Sequence, residues 1–217
     1  MKKVVIALLV LILGSFTSYS QLLGESAKQV YSAPHLRDSI ANHKLVAILP
    51  FNVSISYRRP PKNFDPAANK EEERSLAKNL QSEMFTYLLN KNRKYTVEFQ
   101  DVDVTNSLIK KAGLWDKLDD IPADSLAKLL KVSSVIKCTY EYEKTATEAG
   151  AILKTALFGS IGSKTASGLL TMQIKNGTNG SLLWRFSKSM DEVVFSSASQ
   201  LIERMMRKVS RNFPYAK

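Results

Sequence analysis

Cysteine is almost missing from this chain. Cys138 is the only one in 217 residues, so no disulfide can close within the protein and its fold has to rest on packing. Histidine is nearly as scarce, with only His35 and His43. They stand in a polar stretch without the HExxH spacing of a zinc helix, and no group of cysteines or carboxylates completes a zinc set. No GxSxG elbow occurs, so a serine nucleophile lacks its usual setting and has hardly a histidine to serve as base. No repeat of fixed period is present. After the first twenty residues no second apolar run is long enough for a membrane-spanning helix, which takes about twenty such residues. These absences exclude a disulfide scaffold, and they argue against a structural metal, a cofactor and a catalytic centre.

What the chain does have, at its start, is the pattern of an export leader. Lys2 and Lys3 form a charged head, Val4 to Leu13 are uninterruptedly apolar, and Ser18-Tyr19-Ser20 places small residues where a signal peptidase inspects them. The expectation is a signal peptide over residues 1–20, cleaved before Gln21. The apolar run gives way to Ser15, Thr17 and Ser18, which favours cleavage over an uncleaved anchor. The mature protein is then periplasmic or secreted, or peripheral to the outer membrane.

Charge is the second bias. The chain holds 31 Lys and Arg against 20 Asp and Glu, a formal net charge of +11, and the leader removes only two of those cations. Such a surface draws anionic partners by its long-range field, an anionic envelope polymer or membrane surface among them. Export argues against nucleic acid, and no basic cluster is interleaved with aromatic residues as a base-stacking platform would be. The candidate basic patch is Arg58, Arg59, Lys91, Arg93 and Lys94, with further cations at Arg204, Arg207, Lys208, Arg211 and Lys217. The bland alternative for all of them is a solvated charged face.

The fold class expected is α/β (α+β): a mixed sheet of about five strands flanked by helices, with a carboxyl-terminal antiparallel hairpin and a final helix. Residues 21–43 form a polar, partly helical leader segment, and 44–217 a single domain. Leu45 to Phe51 is a short continuous apolar run closed at Pro50, the pattern of a strand buried on both faces. Residues 57–69 read as an exposed loop. Asp65-Pro66 then offers a cap and a first-position proline. Leu76, Leu80, Met84 and Leu88, widened by Ala77 and Phe85, make the apolar stripe of a long helix.

Tyr95 to Phe99 reads as a second strand, Asp103 as the cap of a helix that Gly113 stops, and 122–131 as another helix. From Ser134 to Lys144 the period changes to two. Ile136, Cys138, Tyr140 and Tyr142 share one face, and Lys137, Thr139, Glu141 and Glu143 share the other. Leu169 to Lys175 and Leu182 to Lys188 pair as a hairpin through Asn176-Gly177-Thr178-Asn179-Gly180, which accepts the positive φ of tight turns. Ala198, Leu201, Ile202, Met205, Met206 and Val209 form the last helix, ended by Phe213-Pro214.

Motifs that could carry chemistry fail on inspection. Residues 159–165, Gly-Ser-Ile-Gly-Ser-Lys-Thr, resemble a phosphate loop, but Ser163 stands where glycine must precede the lysine and Phe158 replaces the other glycine. Cys138 lies on an apolar strand face, as a small buried hydrophobe does. Glu141 and Glu143 share one strand face, whereas a glycosidase pair flanks a bond across a cleft. Tyr140, Tyr142, Trp184 and Phe186 are expected in the core. Asn52-Val53-Ser54 and Asn179-Gly180-Ser181 match the N-glycan acceptor pattern, which matters only in a eukaryotic source.

Two places are better suited to contact than to catalysis. Trp115, between Gly113 and Asp116, reads as an exposed contact on a loop. Residues 146–167 are apolar where a polar connection belongs, and Ile152, Leu153, Leu157 and Phe158 are the candidate contacts of a partner-binding flap. The alternative is a loop or short helix folded over the chain's own sheet edge.

The strand ending in Pro50-Phe51, the helix with Leu80 and Leu88, the stretch 103–113, the run SLAKLLKVSSVI over 125–136 and GLLTMQIKNGTNGSLLW over 168–184 together resemble a known group. It is the group containing the curli-secretion channel protein and the lipoprotein activator of penicillin-binding proteins, LpoB. The pattern is also similar to the amino-terminal domain of the Tol-Pal β-propeller protein, and it covers about Leu45 to Phe213. The resemblance implies a non-enzymatic bacterial envelope module that acts by binding and assembly, with another periplasmic or outer-membrane protein as partner.

Members of that group commonly begin at a lipid-modified cysteine, whereas no cysteine lies near this leader. Channel-forming relatives insert hairpins, and a hairpin of two strands of about nine to eleven residues each would exhaust residues 146–167. The alternatives are a homo-oligomeric subunit of an outer-membrane secretion pore and, from the enzyme class, a cell-wall hydrolase.

Overall fold

The computed structural model describes residues 28–144, 164–193, 197–210 and 212–217. Its strands are β1 (Gln29–Ser32), β2 (Leu45–Ile48), β3 (Asn52–Tyr57), β4 (Glu98–Phe99), β5 (Ser134–Lys144), β6 (Lys164–Asn176) and β7 (Leu182–Val193). The α-helices are α1 (Leu36–Ile40), α2 (Pro66–Leu89), α3 (Val102–Lys111), α4 (Ala123–Leu130) and α5 (Ala198–Val209). One mixed sheet runs β1-β7-β6-β5-β2-β4, with β3 also paired to β5. The β2–β4, β2–β5 and β3–β5 pairs are parallel, and the β1–β7, β5–β6 and β6–β7 pairs are antiparallel. This is the expected class, with a terminal hairpin and a closing helix.

The sheet is wider than expected by β1 and β3. β1 falls within residues 21–43, expected as a polar, partly helical segment; none of its four residues is buried, so it shows no apolar period. It is held instead by ladder bonds to β7, where Gln29 faces Ser187 and Ser32 faces Trp184. β3 follows Pro50, at which the apolar run closes. Proline does end β2, but Asn52–Tyr57 resumes beside the second half of β5, with Val53 and Ile55 buried between exposed Asn52, Ser54 and Ser56.

The register shows how the interruption is accommodated. Ile48 pairs with Ile136 and Asn52 with Thr139, so Leu49, Pro50 and Phe51 stand opposite only Lys137 and Cys138. The extra residue shifts the side-chain alternation by one. Val46 and Ile48 before the bulge, and Phe51, Val53 and Ile55 after it, therefore all enter one core. Without it, Asn52, Ser54 and Ser56 would point inward.

That core lies on the sheet face covered by α2 and α5, where Leu80, Met84 and Leu88 meet Met205, Met206 and Val209. Tyr140, Trp184 and Phe186 belong to it as expected, and Tyr142 packs against it. The opposite face packs Ala47, Leu49 and Val135 under Ile109 of α3 and Leu126, Ala127 and Leu130 of α4. The α2 stripe is rotated slightly from the one read in sequence. Glu73 and Gln81 are buried on it, whereas Leu76 and Phe85 are only half-buried.

Caps follow local chemistry. Asp65 accepts from Ala67 N–H at 2.9 Å ahead of Pro66, as read. Ser197 and Gln200 form a reciprocal capping box on α5. For α3 the cap is Asp101 and not Asp103: its carboxylate accepts from the Asp103 N–H at 2.7 Å, so Asp103 is already inside the first turn. The expected strand 95–99 shortens to Glu98–Phe99. Asn92–Lys94 forms a 3-10 turn before it, and Tyr95 bridges Ala216 of the tail. That tail is anchored by buried Phe213 and Tyr215. In the terminal hairpin Gly180 adopts φ 70, and a side chain at Gly177 would meet the Ser133 carbonyl oxygen at 2.6 Å.

Candidate binding site at the carboxyl end of the second strand

β2 ends where the chain's connections diverge. Its neighbours β4 and β5 lie on either side, and the helices that follow β3 and β4 cover opposite faces of the sheet. In open α/β sheets the crevice outside such a strand end is where ligands bind. Gln81 of α2 closes its floor. Its amide donates to the Ile48 carbonyl at 2.8 Å and exchanges hydrogen bonds with Asn106 of α3 at 3.0 and 2.9 Å. The two helices are thereby tied to each other and to the strand end by a buried polar group.

Trp115 sits over this end. Leu114 N–H bonds to the Ile109 carbonyl at 3.1 Å and Gly113 N–H to the Lys110 carbonyl at 2.9 Å. With Gly113 at φ 69, this is the Schellman stop of α3. The chain turns there and Leu114 packs against the same core as Ile109. The 3-10 turn Trp115–Lys117 follows. The indole is half-buried rather than fully exposed. The Lys110 ammonium stands 5.0 Å and the Lys78 ammonium 5.8 Å from the ring centroid, within reach of the ring's quadrupole.

On one side of Trp115 is a crevice of about 160 Å³ at the β2–β3 bulge. Its charges are matched. Asp119 takes Lys137 at 2.7 Å and the Asn52 amide at 2.6 Å, and Asp116 takes Arg74 at 3.4 Å. These contacts fasten the 115–119 turn to the sheet through Asp119 and to α2 through Asp116. On the other side, a groove of about 450 Å³ runs between α2 and α3, lined by Lys78, Ser82, Asp103, Ser107, Lys110 and Lys111 besides Trp115 and Asn106. There the cations outnumber the single carboxylate.

The residues that could suggest a reacting centre are engaged elsewhere. Cys138 is buried in the α2/α5 core, and burial pushes its thiol far above the ordinary range. Glu141 is exposed, and Glu143 pairs with Arg58 at 3.3 Å on the same strand face. His43 Nδ1 lies 2.8 Å from the Tyr215 hydroxyl, and exposed His35 faces Asp38 at 3.7 Å. Among the described residues no group of three His, Cys, Asp or Glu could hold a metal ion. No described helix is long and apolar enough to cross a membrane.

The cations of the candidate basic patch do not converge. Arg58 and Arg59 precede α2, while Lys91, Arg93 and Lys94 follow it, and a helix of 24 residues is about 36 Å long. Lys91 folds back over the Tyr87 ring at 3.7 Å. Ile152, Leu153, Leu157 and Phe158 lie outside the described residues, as does the leader. Residues 164–167, at the end of the segment read as a flap, begin β6. Sequence reasoning passed over Lys78, Gln81 and Lys110. Lys110 was legible as a cation in the last turn of a helix, but Lys78 and Gln81 have no signal until α2 is placed beside α3.

No family model matches the chain, and no curated protein matches it. Among solved structures it is similar to lipoprotein GNA1162 from Neisseria meningitidis, at 15% identity over 77% of this chain and 96% of that one, with a TM-score of 0.45. A PelC dodecamer from Paraburkholderia phytofirmans aligns at 13% identity over 88% and 99%, with a TM-score of 0.40. The LpoB C-terminal domain from Salmonella enterica aligns at 8% over 72% and 93%, with a TM-score of 0.33. The likeness is a distant one of fold, and no partner or activity is carried across from it.

Proposed function

We propose that this chain is a non-enzymatic exported envelope protein, a binding and assembly adaptor for another periplasmic or outer-membrane protein, with the Trp115 face as its contact. The observation that carries the reading is the placement of a half-buried indole, with two lysine ammoniums within about 6 Å of its ring, over the carboxyl end of β2. Tryptophan in such a setting offers large apolar area at small entropic cost, and with Tyr and Arg it is enriched among the residues that dominate the centres of protein interfaces. The engagement of Cys138, Glu143 and His43 in packing, ion pairing and tail anchoring further supports binding over turnover.

The full chain, expressed in its own host with a photo-crosslinking amino acid in place of Trp115, tests this. A discrete adduct with one envelope protein, absent when the same amino acid replaces Asn179 in the distant hairpin, is expected. Equal labelling at both positions, or peptidoglycan turnover by the purified protein, overturns it.

A further inference from the structure

The groove between α2 and α3 has a charge pattern that its neighbour lacks. Lys70, Arg74 and Lys137 in the crevice at the bulge all have carboxylate partners. In the groove, among the described residues, Lys78 and Lys110 meet only the ring of Trp115, and Lys111 completes a set of three exposed ammoniums against one lining carboxylate, Asp103. Such cations are hydrated, solvated charges unless something anionic arrives, and the indole holds two of them in place beforehand.

We infer that this groove receives an acidic segment of the partner protein, with Lys78, Lys110 and Lys111 taking its carboxylates. This rests on the adaptor reading and deepens it. With ammoniums 5.0 and 5.8 Å from one ring centroid, the pair is separated by no more than about 11 Å. Alternate side chains of an extended peptide lie about 7 Å apart on one side, so two of its carboxylates reach both lysines together. The Ser82 and Ser107 hydroxyls line the same groove and can serve the peptide backbone. Asn106 is locked by Gln81 and forms a rigid floor.

Two other polyanions fit less well. A membrane surface is flat, and these lysines line a concave channel between two helices. An acidic glycan would stack its sugar rings on the indole, but the lysine ammoniums already stand over it. An acidic peptide needs only the cations and the hydrogen-bonding walls.

The chain supplies its own reporter. Of its two tryptophans, Trp184 is fully buried, so a fluorescence response to an added peptide comes from Trp115. The purified full chain is titrated with hexaglutamate and with hexaglutamine. Hexaglutamate is expected to give a saturable change that weakens with salt, and hexaglutamine none. The change should vanish in W115F, and the affinity should fall at least tenfold in the K78Q/K110Q double variant. The charge-matched K44Q/K131Q variant removes two exposed lysines near the amino ends of β2 and β5, at the other end of the sheet, and should stay within about twofold of wild type once screening is allowed for. Unchanged melting temperatures keep the variants comparable.

No response to hexaglutamate, or equal losses in both double variants, overturns the inference. Tighter, Lys78-dependent binding of a sulfated glucan or of phosphatidylglycerol vesicles also overturns it, in favour of a glycan or a membrane. Hexaglutamate binding without a crosslinked partner at position 115 would remove the adaptor reading alone, whereas an adduct that persists in K78Q/K110Q would remove the acidic segment alone.

Discussion

The hydroxyl of Tyr215, two residues from the last described position, lies 2.8 Å from Nδ1 of His43 and 2.7 Å from the hydroxyl of Ser134. Tyr215 is fully buried. Its carbonyl accepts from Thr96 N–H at 2.9 Å, and Lys217 N–H bonds to the Lys94 carbonyl at 2.9 Å. The tail therefore joins three segments far apart in the chain: the turn before β2, the entry to β4 and the first residue of β5.

Replacing Tyr215 by Phe keeps the ring and removes the hydroxyl, leaving Ser134 and His43 without this partner. A loss of about 1–3 kcal/mol is expected, read from the urea midpoint. Burial holds the His43 imidazole below its ordinary value of 6.5, so the unfolded chain takes up that proton first as the pH falls. The contribution of neutral His43 is complete above about 6.5 and is lost as the pH drops through that value to the lower folded one. A His43→Gln variant should show a flatter dependence of stability on pH across this window. An unchanged slope would contradict the assignment.

The alkaline limb has a separate origin. Burial pushes Tyr215 up to about 12, partly offset by its hydrogen bond to Ser134, and burial with the nearby Tyr87 pushes Tyr95 up to about 12. Both titrate near 10 in an unfolded chain, so the unfolded state deprotonates first. Stability should fall as the pH rises from about 10 towards about 12. Phenolate absorbance should show a late component that shrinks in Tyr215→Phe.

Gln81 sets the distance between α2 and α3. Gln81→Ala leaves the Ile48 carbonyl and the Asn106 amide without it in a buried setting, at a cost of about 1–3 kcal/mol. The groove beside Trp115 should loosen as well, shifting Trp115 emission to longer wavelength. A variant with lowered stability and unaltered emission would place Gln81 in the core alone.

Glu73 covers the outer edge of β3. Its carboxylate accepts from the Ile55 N–H at 2.8 Å and from Lys70 at 3.0 Å, while Asn69 donates to the Ile55 carbonyl at 3.1 Å. An uncovered strand edge is a template for pairing with another chain. Glu73→Ala is expected to lower stability by about 1–3 kcal/mol and to raise aggregation on heating, measured by light scattering. Asn69→Ala should act in the same direction.

Helices and hairpin were legible because their signals are local. Asp65-Pro66, the stripe through Leu80, Met84 and Leu88, and the Asn-Gly turn before β7 each depend on residues a few positions apart. β1 was not, since an exposed strand held by ladder bonds to β7 leaves no apolar period. β3 was missed for a different reason. Its alternation is present in Val53, Ile55 and Tyr57, but proline at position 50 marks a strand end equally well and a bulge equally well, and only the partner β5 distinguishes them. Of the candidate site, Trp115 stood out in the sequence as an expected contact, and the lysines over its ring did not. Lys78 and Lys110 lie on helices tied together by the Gln81–Asn106 pair.

From its order of residues alone this chain determined an α/β domain without disulfides, a basic surface and the identity of its helices, because composition and short-range periodicity act through neighbouring side chains. Tertiary structure alone decided that β3 continues past a bulge, that the carboxyl-terminal tail locks onto His43, and that two lysines meet the ring of Trp115. Each of these is a meeting of segments distant in sequence, whose contact energy exists only once the sheet has brought them together.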